Sequence, residues 1–509
     1  MRYIQGIARK QSVMFPPVIE EYVGEENPVR FIDAYVDSLQ LDELGFTHTQ
    51  AQATGRPPYS PSDLLKLYVY GYLNKVRSSR LLQQMTHRNI EVMWLLCKLQ
   101  PDFKTIADFR KDNVQALKKV CREFTLLCKK LHLFGGELVA IDGSKFSAVN
   151  HNSRCYTKEK LQRLIKEIDE KIAEYFSRLD SADMTDEAII TGSLQEAIAN
   201  LQRHKAELAT YSSQIQESGA TQITLTDPDS RMMRTGHQGR DVCYNVQIAV
   251  DAQHKLIVAH DVTNDINDLH QLTPMAQAAK EVLNVEHLDV TADKGYYNET
   301  QIAQCEQENI TCYIPEPEKS QNKALGLYTD RDFQYDATND CYICPSNEQL
   351  TKRSKTIKGN KEVDIYETKK CKQCILRSRC TRSQTNNRRI YRSMDKDVIE
   401  AMRKRMKQYP DKARQRKGIV EHPFGIIKHW MNHEYFLLRG MNKVAAEISL
   451  SVLVFNMKRV LNILDVPTLI AALRVMSARN ILPFLFFLVQ RRIYFTHRIF
   501  LRNYVYVLA

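Results

Sequence analysis

Three carboxylates and a cluster of cysteines are the residues here whose types and spacing could do chemistry. Asp142 follows the apolar run in GGELVAIDGSKF, and Asp293 follows LDVTA in LDVTADKGYYNE. An Asp before Gly or Lys-Gly is by itself an ordinary turn former. Ligand sites in mixed sheets nevertheless gather where strands leave the sheet, and both acids are expected at such ends. The third acid, Glu421, lies in KGIVEHPFGIIKHWMNHE, within a helical apolar pattern through Ile419, Val420, Phe424, Ile427 and Trp430. Lys428 stands two helical turns further along the same face, where it could reach a phosphate. Two Asp and one Glu on rigid elements match the hard oxygen ligands that a pair of Mg2+ ions requires, with water and phosphate completing each shell. One ion would activate an attacking water or 3′-hydroxyl and the other would stabilise the leaving oxygen of an in-line displacement.

The cysteines suggest a second metal. Cys341 and Cys344 form one hook, CYIC, and Cys371 and Cys374 another, CKQC, with Cys380 following. Paired hooks suit tetrahedral Zn2+, and one ion can close two tight loops where little apolar core exists. Cys380 is a spare or replaces one of the four, and buried reduced thiols are the alternative. His422, His429 and His433 do not share one helical face with Glu421, so no histidine metal site is read there. Asp265, Asp268 and His270, in HDVTNDINDLH, are weaker candidates that helix capping explains equally well.

The elements that must position these groups follow from the periodicity. YSPSDLLKLYVYGYL starts a helix with Ser60 as N-cap, Pro61 in the first turn and Asp63 after it. SSRLLQQMTHRNIEVMWLL predicts a second helix, and a third, capped by Thr105, runs to about Leu131. This helical unit reads as a scaffold, a dimerisation bundle or a DNA-binding module; it shows no distinct recognition helix. The period then becomes extended: ELVAID, VCYNVQIAVDA, KLIVAHDVT, VEHLDVTAD and ITCYIP predict strands, with a helix over DLHQLTPMAQAAKEVL. A mixed α/β sheet with helices on its faces is expected.

Three stretches interrupt that core. A helical hairpin is predicted over about 155–220, and a polar, cysteine-bearing segment over 316–400. The run RKRMKQYPDKARQRKG, with eight basic residues, directly precedes Glu421. That run, with Arg388, Arg389 and Arg392, could line a DNA path beside the glutamate, although charge runs are usually solvated faces. The formal net charge of +12 agrees with a polyanionic partner. The N-terminus does not read as a signal peptide. ILPFLFFLVQ is cut short by Arg491 and Arg492, well below the roughly 20 residues a membrane helix needs. A cytoplasmic protein with no membrane association is expected, nucleoid-associated when bound to DNA, and twelve cysteines there would not form a disulfide framework.

The order AIDGSKF, TADKGYYNE, VEHPFGIIKHW, behind a helical N-terminal domain containing DFR, resembles the DDE transposases of bacterial insertion sequences, over residues 20–465. The resemblance implies a ribonuclease-H-like catalytic domain with catalytic Asp142, Asp293 and Glu421, and it puts Asp268 near that site. It also implies Mg2+ or Mn2+ as cofactor, cleavage at terminal inverted repeats and joining to target DNA, by a homodimer on paired ends. Lys428, Lys417, Arg414, Arg416, Arg403, Arg405 and Lys294 are the expected DNA contacts. Related families carry a Tyr and an Arg seven and four residues before the glutamate; here those positions are Arg414 and Lys417. The expected organisation is a helical DNA-binding unit at 1–134, the first part of the catalytic core at 135–315, a cysteine-rich zinc-binding insertion at 316–400, the glutamate-bearing region at 401–465 and a tail at 466–509. A domesticated DNA-binding regulator and a structure-specific nuclease of the same fold are the competing readings.

Overall fold

The computed structural model describes residues 18–49, 57–183, 188–236, 239–317, 325–358, 361–383 and 385–477. The N-terminal part is helical: α1 (Pro28–Asp37), α2 (Leu41–Leu44), α3 (Pro61–Leu73), α4 (Ser79–Arg88), α5 (Ile90–Leu95), α6 (Phe103–Asp112) and α7 (Val114–Lys130). Ser60 caps α3 as expected, accepting from Ser62 N at 3.2 Å. Two expected helices are each divided by an asparagine. Asn89 accepts from Val92 N at 3.1 Å and so restarts the chain as α5. Asn113 separates α6 from α7, with its side chain taking the Thr47 N–H at 2.8 Å. The cap of α6 is Asp102, bonded to Lys104 N and Thr105 N, rather than Thr105 itself.

The central sheet contains β1 (Leu138–Ser147), β4 (Arg231–Arg234), β5 (Arg240–Asp251), β6 (Ile257–Thr263), β7 (Leu288–Thr291) and β8 (Ile310–Tyr313). Its path is β4-β5-β1-β7-β8, with β6 also on β5. β5 is antiparallel to β1 and to β6, whereas β7 is parallel to β1 and β8 to β7. The strand expected to end at Asp142 continues to Ser147. Its ladder with β5 runs unbroken from Val139↔Asp251 to Ser147↔Cys243, so pairing carries the backbone past the acid.

Both insertions leave this sheet cleanly. β2 (Cys155–Thr157) and β3 (Gln222–Thr224) pair at the foot of the expected hairpin, formed by α8 (Lys158–Asp183) and α9 (Ala188–Ser218). Leu161, Ile168, Leu208 and Ile215 are buried between the two helices. α10 (Leu272–Leu283) and α11 (Glu299–Gln307) pack on one sheet face with Val139, Ile141 and Val290. The cysteine-bearing segment folds into an antiparallel sheet, β9 (Gln334–Asp336), β10 (Cys341–Ile343), β11 (Gln349–Lys358), β12 (Lys361–Glu367) and β13 (Arg389–Ser393). Its apolar core is small: Phe333, Tyr342, Leu350, Tyr366 and Ile390. The chain returns through α12 (Lys396–Gln408), α13 (Pro410–Gly425), α14 (Met441–Ile463) and α15 (Val466–Ser477).

α14 is buried without a break from Ala446 to Met457, and it joins the N-terminal helices to the second sheet face in one continuous core. Residue 134 is therefore no break in packing. Arg77 and Glu447 meet across that junction at 3.0 Å, with side chains 5% and 0% exposed. Arg77 also donates to the carbonyls of Asn432 and Tyr435, and Glu447 accepts from Leu437 N and Leu438 N. Those bonds offset the desolvation of a buried ion pair. The first turns of the tail belong to the fold, since Val466, Leu469, Ala472 and Leu473 of α15 join this core; ILPFLFFLVQ lies outside the described residues. Among the described residues no helix is long and apolar enough to cross a membrane.

Candidate active site

Parallel pairing aligns the two aspartates. The register Leu138↔Asp289, Val139↔Val290, Ala140↔Thr291 leaves Asp142 and Asp293 each two residues beyond the last pair, on strands about 4.8 Å apart. Asp142 Oδ1 accepts from Gly143 N at 2.9 Å, and its Oδ2 faces Arg416 Nη1 at 3.3 Å. Burial pushes the Asp142 carboxyl up to about 6; the charges of Asp293 and Asp268 add to this, while Arg416 and the Gly143 N–H oppose it. Asp293 accepts from Gly295 N at 2.7 Å and caps the short turn Lys294–Tyr296, so it has a turn-forming role as well. Lys294 is exposed beside it.

α13 lies along β1, with Arg416 at Asp142 and the Phe424 ring tilted against that of Phe146, centroids 6.2 Å apart. Val420, Phe424 and Ile427 set the rotation of this helix by facing the core. Glu421 is one residue, roughly 100°, round from Val420. Its side chain is 58% exposed and pairs with Lys417 at 3.7 Å. The three carboxylates expected to meet do not converge in this conformation. Among the described residues no group of three or more His, Cys, Asp or Glu is arranged to hold a metal ion.

The expected DNA contacts divide into two sets. Lys428 is turned inward: its Nζ donates to Lys145 O at 2.7 Å and lies 4.6 Å from the Phe146 ring centroid, and burial lowers its pKa. The physical reason is a π-helical turn at Ile426–Trp430, which breaks the α-helical spacing from Glu421. Arg416 is held at Asp142, Arg403 is bidentate to Glu316 at 2.9 and 2.7 Å, and Arg405 pairs with Glu306. Arg392 is buried against Tyr335 and Tyr342 and paired with Glu400, while Arg389 pairs with Glu367 and Arg388 with Asp330. Arg414 and Lys417 remain on the surface, 78% and 74% exposed, with Lys404 and Lys407 also exposed.

Sequence reasoning passed over the polar groups behind Asp142. Asn245 and Gln247 are fully buried on β5 and donate to Asp268 Oδ1, each at 2.7 Å. The signal was present in VCYNVQIAVDA: two amides at alternate positions of an otherwise apolar strand share one face.

In the cysteine module, Cys344, Cys371, Cys374 and Cys380 line one small cavity together with Arg377 and Arg388. Cys341 does not line it; this thiol is buried on β10, and after burial itself its pKa is raised most by Asp336 and Asp340. Burial likewise raises Cys380, Arg388 opposes that shift, and the other three cavity cysteines add to it. The cavity thus gathers Cys344, the second hook and Cys380, while Cys341 lies in the β10 ladder.

Two family models match the chain. Residues 343–461 match Transposase DDE domain, and residues 17–112 match Transposase domain (DUF772). Together they point to a DDE transposase of insertion-sequence type, an enzyme acting on DNA, and to dependence on a divalent metal. The first match contains Glu421 and the cavity cysteines, whereas Asp142 and Asp293 lie outside both. No curated protein matches. Among solved structures, the piggyBac transposase synaptic complex with hairpin DNA aligns at 8% identity, covering 89% of this chain and 80% of that one. Its TM-score of 0.32 is too low to carry an argument.

Proposed function

We propose that this chain cleaves DNA at the ends of its transposon and joins the freed 3′-hydroxyls to target DNA, using Asp142, Asp293 and Glu421. The observation that carries this reading is the parallel β1–β7 register, which sets two carboxylates side by side. The strand order β6-β5-β1-β7-β8, antiparallel on one side of β1 and parallel on the other, supports a ribonuclease-H-like core. The donor set fits a hard divalent cation, because two carboxylates stand close enough for the charge of Asp293 to help raise the Asp142 pKa, with Arg416 the cation that faces Asp142 directly. Asp142 and Asp293 would hold Mg2+ or Mn2+, with Glu421 joining when α13 or its side chain is repositioned on DNA. When bound, the metal supplies Lewis acidity for the nucleophile and leaving oxygen. Exposed Arg414, Lys417, Lys404, Lys407 and Lys294 guide the phosphate backbone, and two copies on paired ends complete the assembly in the cytoplasm.

The outward Glu421 favours a second reading, a DNA-binding regulator that no longer cuts. The assay that separates them is Mg2+-dependent nicking of DNA carrying the inverted repeats that flank the reading frame. Wild type should nick and Asp142→Asn should not; equal behaviour of the two would support the regulator.

The cysteine module is proposed to bind structural Zn2+ through Cys344, Cys371, Cys374 and Cys380. Its small apolar core gives a metal staple a physical purpose, and Arg388 beside the thiols offsets thiolate charge. Forming the tetrahedral shell requires the thiols to rotate inward. Metal analysis should find about one zinc per chain, retained in Cys341→Ser and lost in Cys380→Ser. Zinc-free wild type, prepared without chelators, would end the proposal.

A further inference from the structure

Behind the two aspartates lies a connected set of buried polar groups. Gln247 Nε2 donates to Asp268 Oδ1 at 2.7 Å and to Asn245 Oδ1 at 3.0 Å. Asn245 Nδ2 donates to the same Asp268 oxygen at 2.7 Å and to the Asp265 carbonyl at 3.3 Å. The Tyr296 hydroxyl donates to Gln247 Oε1. Lys145 Nζ, buried and with no hydrogen-bond partner among the described residues, stands 3.5 Å from Asp268 Oδ1. Asn245, Gln247 and Tyr296 are each fully buried.

The placement of this network matters more than its size. At one end it presses against Gly143, the residue after Asp142. A Cβ built there would stand 2.3 Å from Gln247 Nε2, 2.7 Å from Asp268 Oδ1 and 3.1 Å from Asn245 Oδ1. At the other end it holds Tyr296, the last residue of the turn that Asp293 caps. The hydrogen bonds therefore run from Tyr296 to side chains of β5 that pack on Gly143, and Gln247 is the ladder partner of that glycine. Stability alone does not call for it, since apolar groups of equal shape can replace a satisfied buried polar set at little cost. Hydrogen bonds do fix distance and direction, which apolar packing does loosely.

We propose that Tyr296, Gln247, Asn245, Asp268 and Lys145 form a positioning brace that sets the spacing between the Asp142 and Asp293 carboxylates, with Gly143 as the gap that admits it. This rests on reading the two aspartates as the cation-holding pair. Asp268 acts through its neighbours, since its Oδ1 is committed to two amides beside the lysine. Partners of this kind, one bond removed from a metal's ligands, typically change its affinity by about 10–100-fold when replaced.

The test is Mn2+ binding to the DNA-free full chain, read from the electron-paramagnetic signal of free Mn2+, with metal-free melting recorded in parallel. Asp268→Asn should weaken Mn2+ binding by about tenfold and Tyr296→Phe by a few fold, each melting close to wild type, whereas Asp142→Asn should abolish binding. Gly143→Ala should resemble the weaker of the first two or worse. Wild-type affinity in both Asp268→Asn and Tyr296→Phe would overturn the brace while leaving the aspartate pair intact. If Asp268→Asn does not fold, Tyr296→Phe decides alone. Unchanged binding in Asp142→Asn would instead overturn the metal reading of the pair.

Discussion

Asp142 lies on β1 and Asp293 two residues past the end of its parallel neighbour β7, whereas Arg416 and Glu421 ride on a helix packed across β1. Strand pairing fixes position residue by residue, so once Ala140 faces Thr291 the acids two places on are aligned. A helix fixes only the direction of its apolar stripe. On α13 that stripe brings Arg416, not Glu421, to Asp142. The strand-borne half of the site is thus organised without ligand, and the helix-borne half presents a cation where a metal would be needed. Arg416 serves as the resident counter-charge of Asp142 in this conformation. The π turn and Pro423 at the end of α13 mark where its helical regularity already gives way.

Four experiments would break or sharpen this contrast. The largest effect is expected from the strands: Asp142→Asn and Asp293→Asn should each lower Mg2+-dependent nicking by roughly a thousandfold, with DNA retention in gel shifts unchanged. Next, Glu421→Gln should cost about a hundredfold in nicking yet leave Mn2+ binding to the DNA-free protein near wild type, because Glu421 is exposed and paired with Lys417 in this conformation. If it lowers that binding as much as Asp142→Asn, the two halves are not distinct.

A smaller effect concerns stability. The folded Asp142 carboxyl titrates near 6 and its unfolded counterpart near 3.8, so the folded state favours the protonated acid. Its stabilising contribution is complete below the unfolded value and is lost as pH rises through the folded one. Metal-free Asp142→Asn should therefore be more stable than wild type at pH 8, by about 3 kcal/mol, and should keep little of that advantage at pH 4. Denaturant melts at the two pH values measure the difference; equal gains at both would show that the charge is not the cause. Last, Arg416→Met removes the guanidinium that favours the carboxylate. The acid limb of the nicking profile should move to higher pH, by about one unit or less, and an unmoved limb would mean that Arg416 leaves Asp142 when DNA binds.

Much of this architecture was legible because its signals are local. The change from helical to alternating apolar spacing announced the sheet, and the face Leu161-Ile168 announced the hairpin. Other features were hidden for a physical reason in each case. β1 runs past Asp142 because a distant strand pairs with it. Asn89 and Asn113 divide helices through side-chain bonds that compete with the helix. Cys341 and Cys380 look interchangeable by spacing, and the fold separates them: Cys380 lines the cavity and Cys341 lies in the β10 ladder. The two insertions differ in charge as well: residues 155–220 carry eight Lys and Arg against twelve Asp and Glu, whereas 316–400 carry eighteen against thirteen.

The sequence by itself determined which residues could do chemistry, their order, and the kinds of element that bear them, because periodicity and turn chemistry act over a few residues. Only the tertiary structure decided which side chains meet. Register set Asp142 beside Asp293, helix rotation sent Arg416 inward and Glu421 outward, and long-range pairing gathered Asn245, Gln247 and Asp268 behind Gly143. Those outcomes depend on contacts between segments far apart in the chain, and local propensity carries no information about them.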